Sequence, residues 1–201
     1  KTIAGSGTTA ITALHSTLGA DLSNITSTSV TAAFDSSGTF TGNLGSAAVT
    51  VASGQTLTTT AAIADGKTIA GSGTTAITAL HSTLGADLAN VDSTTTTAAF
   101  DGSGTFTGTL DGAVVTVADG VTMTAAANVV AGETVNKSSS GVLAVKVGTA
   151  DAAVDLTTIG GTAFSTVTVF EDTTFTGTLD DALKTSVDSG QTLTTTAAIA
   201  D

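Results

Sequence analysis

A verbatim internal repeat is the feature that most constrains this chain. Residues 1–22, KTIAGSGTTAITALHSTLGADL, recur letter for letter at 67–88, an offset of 67 − 1 = 66 residues. The peptide SGQTLTTTAAIAD at 53–65 returns unchanged at 189–201. Self-similarity at a fixed period of this size predicts one supersecondary unit that is repeated and stacked along the chain.

Three copies of the unit account for the sequence. Each copy carries one FTG segment, and these segments are FTGNL (40–44), FTGTL (106–110) and FTGTL (175–179). We therefore divide the chain into repeats at 1–66, 67–132 and 133–201, the last copy with three extra residues. The third copy stops one Gly short of completion, so we expect the chain to be an excerpt of a longer array.

Short alternations of apolar and polar residues predict strands within each copy. In the first copy the predicted strands are KTIA (1–4), TAITAL (9–14), SVTAAF (29–34), GTFTGNL (38–44), AAVTVA (47–52) and QTLTTTAAI (55–63). The separators GSG, LGAD, SSG, LGS, ASG and ADG are rich in residues that favour turns. Thr and Val suit strands because branching at Cβ fits a pleated surface. The best helical candidate, ITALHSTLGADLSNI, has room for a single turn.

The alternation also predicts which side chains form the core. In TFTGNL it places Phe40 and Leu44 on one face and Thr39 and Thr41 on the other. Leu57 takes the apolar face of QTLTT in the same way. Only seven Phe serve the whole chain, so a narrow core of Ala, Val, Leu and stacked Phe is expected.

Two all-β architectures can use such a core. The first is a continuous β-solenoid, similar to a parallel β-helix, with roughly three coils of ~22 residues per copy and about nine coils in all. The second is a string of small β-sandwiches, one per copy. Sandwich domains usually hold about 100 residues around large aromatic side chains. The copies are shorter and the chain has no Trp or Tyr, which favours the solenoid.

Composition excludes several functional classes. The formal net charge is −12, and five scattered lysines cannot form the basic patch that a nucleic acid requires. No apolar run approaches the ~18 residues that membrane insertion needs. The absence of Cys excludes disulfides, thiolate metal sites and cysteine nucleophiles.

One segment superficially resembles a catalytic set. His15, its copy His81, Ser16 and Asp21 belong to ALHSTLGAD, but residues so close in a turn rarely reach the geometry of a triad. The third copy has Thr149 near the equivalent place. Polysaccharide-cleaving enzymes need carboxylates with cationic or aromatic partners, and Arg, Trp and Tyr are missing. We predict no catalytic, cofactor-binding or metal-ligating residues and no enzymatic activity.

Acidic turns and Thr-rich segments leave two alternatives open. The turns DGSG (101–104), LDGA (110–113), ADG (118–120), FEDTT (170–174) and LDD (179–181) offer oxygen ligands for Ca²⁺. None of them matches a calcium-binding nonapeptide or an EF-hand loop. The outward Thr of the TFT segments are Thr39, Thr41, Thr105, Thr107, Thr174 and Thr176. A calcium-stiffened adhesin repeat and an ice-binding face are therefore alternatives, although TFT recurs only once per copy.

The segment SGQTLTTTAAIADGKTIAGSGTTAI (53–77) resembles the long β-strand repeats of very large secreted bacterial surface proteins. These include repeat-rich adhesins, surface-layer-like proteins and extracellular fibres. The resemblance implies an extracellular or cell-surface location and a rod or spacer that self-assembles end to end. Further copies of the chain are the expected partners, with cell surfaces and glycans as other candidates. Unpaired strand edges at the ends of a stack would support such assembly.

Overall fold

The computed structural model describes residues 1–179 and 184–196, apart from the side chains of Phe164 and Ser165. The chain divides into two compact units, Lys1–Ala98 and Ala99–Asp201. Both are mostly β-strand, with helices limited to single turns of three or four residues. The predicted all-β class is therefore confirmed at the level of strand content.

The first unit contains seven strands. They are β1 (Ile3–Ile11), β2 (Ile25–Phe34), β3 (Gly38–Thr39), β4 (Ala48–Val51), β5 (Thr56–Thr60), β6 (Ile69–Thr78) and β7 (Val91–Phe100), the last of which ends two residues into the second unit. Its helical turns are Leu14–Ser16, α1 (Ala61–Ala64) and Leu80–Ser82. The Leu14–Ser16 turn is the single turn for which the sequence had room.

Strands of the first unit pair side by side in parallel. Their order is β1-β2-β4-β6-β7, and β5 lies between β3 and the second half of β6. Paired residues are about twenty positions apart, for example Ile3 with Ile25, Thr31 with Ala48 and Val49 with Ile69. Each strand therefore pairs with a segment that returns in the same direction about twenty residues later. This pattern is compatible with a β-helix-like fold.

The second unit repeats this pattern. Its strands are β8 (Gly104–Phe106), β9 (Val114–Val117), β10 (Thr122–Ala126), β11 (Val135–Lys137), β12 (Val142–Val147), β13 (Phe164–Val169), β14 (Thr173–Thr174), β15 (Lys184–Val187) and β16 (Leu193–Thr194). One sheet has the order β15-β13-β12-β10-β8, and β9 pairs with β11 and β14 with β16. Helical turns are α2 (Ala127–Val130), Thr149–Asp151 and Leu156–Thr158.

All of the strand pairs described within each unit are parallel. A β-sandwich of the immunoglobulin type is built from antiparallel sheets, with neighbouring strands joined by hairpins and Greek-key connections. The sandwich alternative therefore does not fit this strand pairing.

The 66-residue period is visible in the backbone conformation as well as in the amino-acid sequence. The helical turns at Ala61–Ala64 and Ala127–Val130 are equivalent, since 127 − 61 = 66, although their sequences differ. Ala13 and Ala79 both take a left-handed conformation, with φ of 54°. The first two copies thus share their local conformations as well as their pattern of apolar residues.

The core consists of the apolar side chains that the alternation places inward. Phe40 and Leu44 are buried while Thr39 and Thr41 are exposed, as predicted, and Leu57 is buried. The other Phe side chains that are fully buried are Phe34, Phe100, Phe106 and Phe175. Complete burial of one such side chain stabilises a fold by about 1.5–3 kcal/mol.

The prediction that GSG forms a turn is wrong. Both GSG segments lie inside strands, at residues 5–7 of β1 and 71–73 of β6, and the strand pairing shifts register there. A side chain at Gly71 would place its Cβ 2.3 Å from the carbonyl oxygen of Val51. Glycine is needed in β6 because a neighbouring strand approaches its backbone closely.

Two predicted strands are also shorter than expected. In GTFTGNL only Gly38–Thr39 is strand, and the last residues of QTLTTTAAI belong to α1. Alanine favours helix, which accounts for the helical turn AAIA of α1 directly after β5. Alternation alone did not predict these strand ends.

Candidate functional site

In the first copy the structure does not assemble the Ser-His-Asp set suggested by ALHSTLGAD. In the second copy the hydroxyl of Ser82 lies 3.2 Å from Nε2 of His81, while the carboxylate of Asp87, the equivalent of Asp21, accepts from the backbone N–H of Ala89 at 3.0 Å. The hydroxyl of Ser16 donates to the carbonyl of Ala13 over 2.8 Å. The carboxylate of Asp21 accepts from the backbone N–H of Ser23 at 3.0 Å. Nucleophilic catalysis requires serine, base and acid to be bonded in series. Ser16 and Asp21 are bonded to other groups here.

His15 instead pairs with an acid from the following segment. Its Nδ1 lies against the carboxylate of Asp35. Sequence reasoning missed Asp35, although a signal was present. Asp35 follows His15 by 35 − 15 = 20 residues, and Asp101 follows His81 by the same distance. That spacing is close to the offset between paired strands, so it could have indicated the contact.

Acidic side chains join parallel segments by accepting backbone N–H groups. The carboxylate of Asp119 accepts from the N–H and hydroxyl of Ser140, and that of Asp172 accepts from the N–H of Thr192. Further bonds of this type link Asp65 to the N–H of Asp87, Glu133 to that of Gly112 and Glu171 to that of Thr149. In each case donor and acceptor are 20 to 22 residues apart. The acids therefore tie each segment to the next.

Asp151 also accepts backbone N–H groups, and it is more deeply buried than the acids named above. Only 3% of its surface is exposed, and its two carboxylate oxygens accept from the N–H groups of Asn128 and Gly148, each at 3.0 Å. A buried carboxylate is stable only where such bonds replace its water. This role could not be predicted from the sequence, because GTAD (148–151) resembles the other acidic turns.

Local contacts shift the pKa of three acids. Hydrogen bonds from Ser140, led by its hydroxyl, lower the pKa of Asp119, and equivalent bonds from Ser23 lower the pKa of Asp21. Burial raises the pKa of Glu133, and the nearby charge of Asp111 adds to the rise while the Gly112 N–H opposes it. The ionised forms of Asp119 and Asp21 are therefore favoured by the fold.

Where the structure describes them, the acidic turns are not arranged as a metal site. Within the described residues, no group of three or more His, Cys, Asp or Glu is placed to hold a metal ion. The predicted LDD turn at 179–181 lies partly outside the described residues. Instead of converging, the carboxylates described above are used as acceptors for main-chain N–H groups.

Threonine side chains form rows, but the rows are interrupted. The six Thr of the TFT segments are exposed, as the alternation predicts. In the first unit Thr39 lies beside Thr58, which lies beside Ala76. In the second unit the row runs Thr105, Thr124, Ala144, Thr166 and Lys184. Alanine and lysine break the regular plane of hydroxyl groups that an ice-binding face would need.

Each unit has a shallow groove at positions related by 66 residues. The first is lined by Gly42, Asn43, Leu44, Ala62, Ile63, Asp65 and Lys67, and the second by Gly108, Thr109, Leu110, Asp111, Asn128, Val129, Ala131 and Glu133. Lys67 donates to the carbonyl of Gly45, whereas Glu133 accepts from the N–H of Gly112. The two grooves carry opposite charges at the same place, so they do not present one shared ligand site.

The first and second copies meet at a junction where β4 and β5 of the first copy pair with β6 of the second. Val49 and Thr50 pair with Ile69 and Ala70, and Thr56–Thr60 pair with Thr74–Thr78. The N–H of Thr74 donates to the carbonyl of Gln55 at 2.9 Å, and the hydroxyl of Thr78 donates to the carbonyl of Thr59 at 3.2 Å.

Glycines allow this junction to close. A Cβ at Gly73 would lie 2.4 Å from the carbonyl oxygen of Ala52 and 2.6 Å from a methyl group of Val51. Ile69 and Val51 are both fully buried there. We call the surface formed by β4, β5 and β6 the copy junction, and it is the candidate functional surface of the chain.

Within the described residues the helices are single turns, and none of them could span a bilayer. No protein-family model, no curated protein and no solved structure matches the chain.

Proposed function

We propose that the chain is a structural repeat segment of an extracellular filament, surface-layer-like protein or adhesin, and that it acts as a rod or spacer that assembles end to end. In this proposal the parallel strands are successive coils of a β-solenoid. The single observation that carries it is the parallel pairing of segments about twenty residues apart, which recurs in both units.

Physical reasoning supports a structural role. In a stacked repeat each copy contacts only its neighbours, so copies can be added without a change of fold. The copy junction uses backbone bonds and small side chains, which any further copy with the same sequence can provide. The acids that join neighbouring segments serve this stacking as well. Binding or catalysis would instead require polar groups that converge on one site.

The proposal can be tested by adding copies. Proteins with two or four extra copies of residues 67–132 should lengthen by about 14 Å per copy, three coils of about 4.8 Å each. Small-angle X-ray scattering should then show a maximum dimension that grows linearly while the cross-section stays constant. A cross-section that widens with each copy, or larger steps typical of hinged beads, would contradict the rod.

The location is tested separately. Antibodies against the chain should label intact cells of the organism that produces it, because the proposal places the protein at the cell surface or outside it. Labelling that appears only after the cells are permeabilised would contradict an extracellular role.

A further inference from the structure

Consecutive copies are joined by side chains of opposite charge. The second copy begins with Lys67 and the third with Glu133, at equivalent positions, since 67 + 66 = 133. The ammonium group of Lys67 donates to the carbonyl of Gly45 in the first copy over 2.9 Å. The carboxylate of Glu133 accepts from the N–H of Gly112 in the second copy, also at 2.9 Å. We call the contact of Glu133 with residues 111 and 112 the acidic joint.

The acidic joint contains a second carboxylate. Asp111 takes the place of Gly45, since 45 + 66 = 111, and it lines the same groove as Glu133. The residues that line this groove all belong to the described part of the chain, and none of them is a lysine. The equivalent groove of the first unit contains Lys67. Two like charges therefore share one groove without the cation that the first unit has at this place.

Glu133 is half-buried, whereas Asp111 is exposed. A half-buried carboxylate loses part of its hydration, and the bond from Gly112 replaces only some of it. Burial accordingly raises the pKa of Glu133, and the charge of Asp111 raises it further. The ionised form of Glu133 is thus disfavoured by its surroundings, which is the opposite of Asp119 and Asp21.

The other elements around Glu133 bring few charges. The helical turn α2, which comes before it, has no titratable side chain. On the other side the N–H of Gly160 donates to the carbonyl of Glu133, and this segment carries Asp155. Asp155 accepts from the N–H and hydroxyl of Thr157 in its own turn. Lys137, on β11, is exposed. Asp111 is therefore the charged group that acts on Glu133.

We propose that the acidic joint is a pH-sensitive contact between the second and third copies, which tightens when Glu133 takes up a proton in mild acid. The inference rests on the proposed stacking of copies and adds its regulation. A protonated Glu133 no longer repels Asp111, and its carbonyl oxygen still accepts from Gly112. Because the folded chain holds this proton more tightly than the unfolded chain, stability from Glu133 rises as the pH falls from neutral. It is lost again as the pH rises through the raised pKa of the folded state.

An isosteric variant tests the effect of this charge. Glu133→Gln keeps the acceptor oxygen but removes the charge, so it should raise the melting temperature by about 2 °C or more at about pH 7.5. At about pH 5 the gain should be clearly smaller, because wild-type Glu133 is then protonated more often. Asp119 and Asp21 stay ionised at both pH values, since their pKa values are lowered.

Asp92→Asn is the matched control, because it removes the same formal charge from an exposed position on β7. It should change the melting temperature by no more than about 1 °C at either pH. Any titration of His15 and His81 is common to all three proteins and cancels in the comparison. Equal effects of Glu133→Gln and Asp92→Asn would overturn the inference, as would a lower melting temperature for Glu133→Gln than for the wild type.

Hydrogen exchange measured by NMR tests the joint locally. After correction for the intrinsic effect of pH, the Gly112 amide of the wild type should be protected about twofold more at pH 5 than at pH 7.5. In Glu133→Gln its protection should be the same at both. Protection of Gly112 that does not depend on pH in the wild type would contradict the proposed joint. If the lengthened chains still form rods, only this inference fails and the structural function stands.

Discussion

Replacing Phe40 by alanine is expected to lower the free energy of unfolding by about 3–5 kcal/mol. Phe40 is fully buried, and its removal loses the transfer energy of the ring and leaves a cavity. A narrow core has few large side chains that could move into this space. Urea denaturation followed by far-ultraviolet circular dichroism would measure the change.

Thr41→Ala is the matched control for Phe40→Ala. Thr41 follows Phe40 in the same segment, but its side chain is exposed. Its replacement should change the free energy of unfolding by no more than about 0.5 kcal/mol. Similar effects at the two positions would contradict the inward and outward assignment of this segment.

Gly73→Ala is expected to destabilise the chain by about 3 kcal/mol, whereas the same change at Gly7 should have almost no effect on a single chain. The two glycines occupy equivalent places in identical sequences. At Gly73 the new methyl group would lie 2.4 Å from a backbone oxygen that is held by strand pairing, while at Gly7 it meets open space.

Thermal melting of both variants at low protein concentration would measure this difference. Low concentration keeps the chains apart, so that Gly7 is examined without a partner strand. Equal decreases in melting temperature for Gly7→Ala and Gly73→Ala would contradict this prediction. They would mean that glycine is needed at both positions for its backbone conformation and not for the close approach of β4 and β5.

Local sequence patterns predicted the faces of the strands better than their ends. Alternation placed Phe40 and Leu44 inside correctly because burial on one face of a strand has a period of two. The prediction from turn-favouring residues failed at GSG, where glycine permits the close approach of a neighbouring strand instead of forming a turn. That requirement depends on residues near Val51, about twenty positions away, so no local window contains it.

The contacts of the acidic residues were harder to predict for the same reason. Asp35 and Asp151 were not singled out, because their partners belong to other segments of the chain. Spacing of about twenty residues between His15 and Asp35 was available in the sequence. Asp151 offered no such signal, since its acceptor role depends on backbone N–H groups that every residue except proline carries.

Parallel stacking of successive segments is the feature on which the proposed rod depends, and double-cysteine variants test it most directly. Parallel pairing places Thr39 beside Thr58, within the range that a disulfide spans. A hairpin through the LGS segment would instead bring Thr41 opposite Thr50. We expect T39C/T58C to oxidise rapidly to an intramolecular disulfide and T41C/T50C to remain reduced. Rapid closure of T41C/T50C, with T39C/T58C left open, would contradict the parallel arrangement.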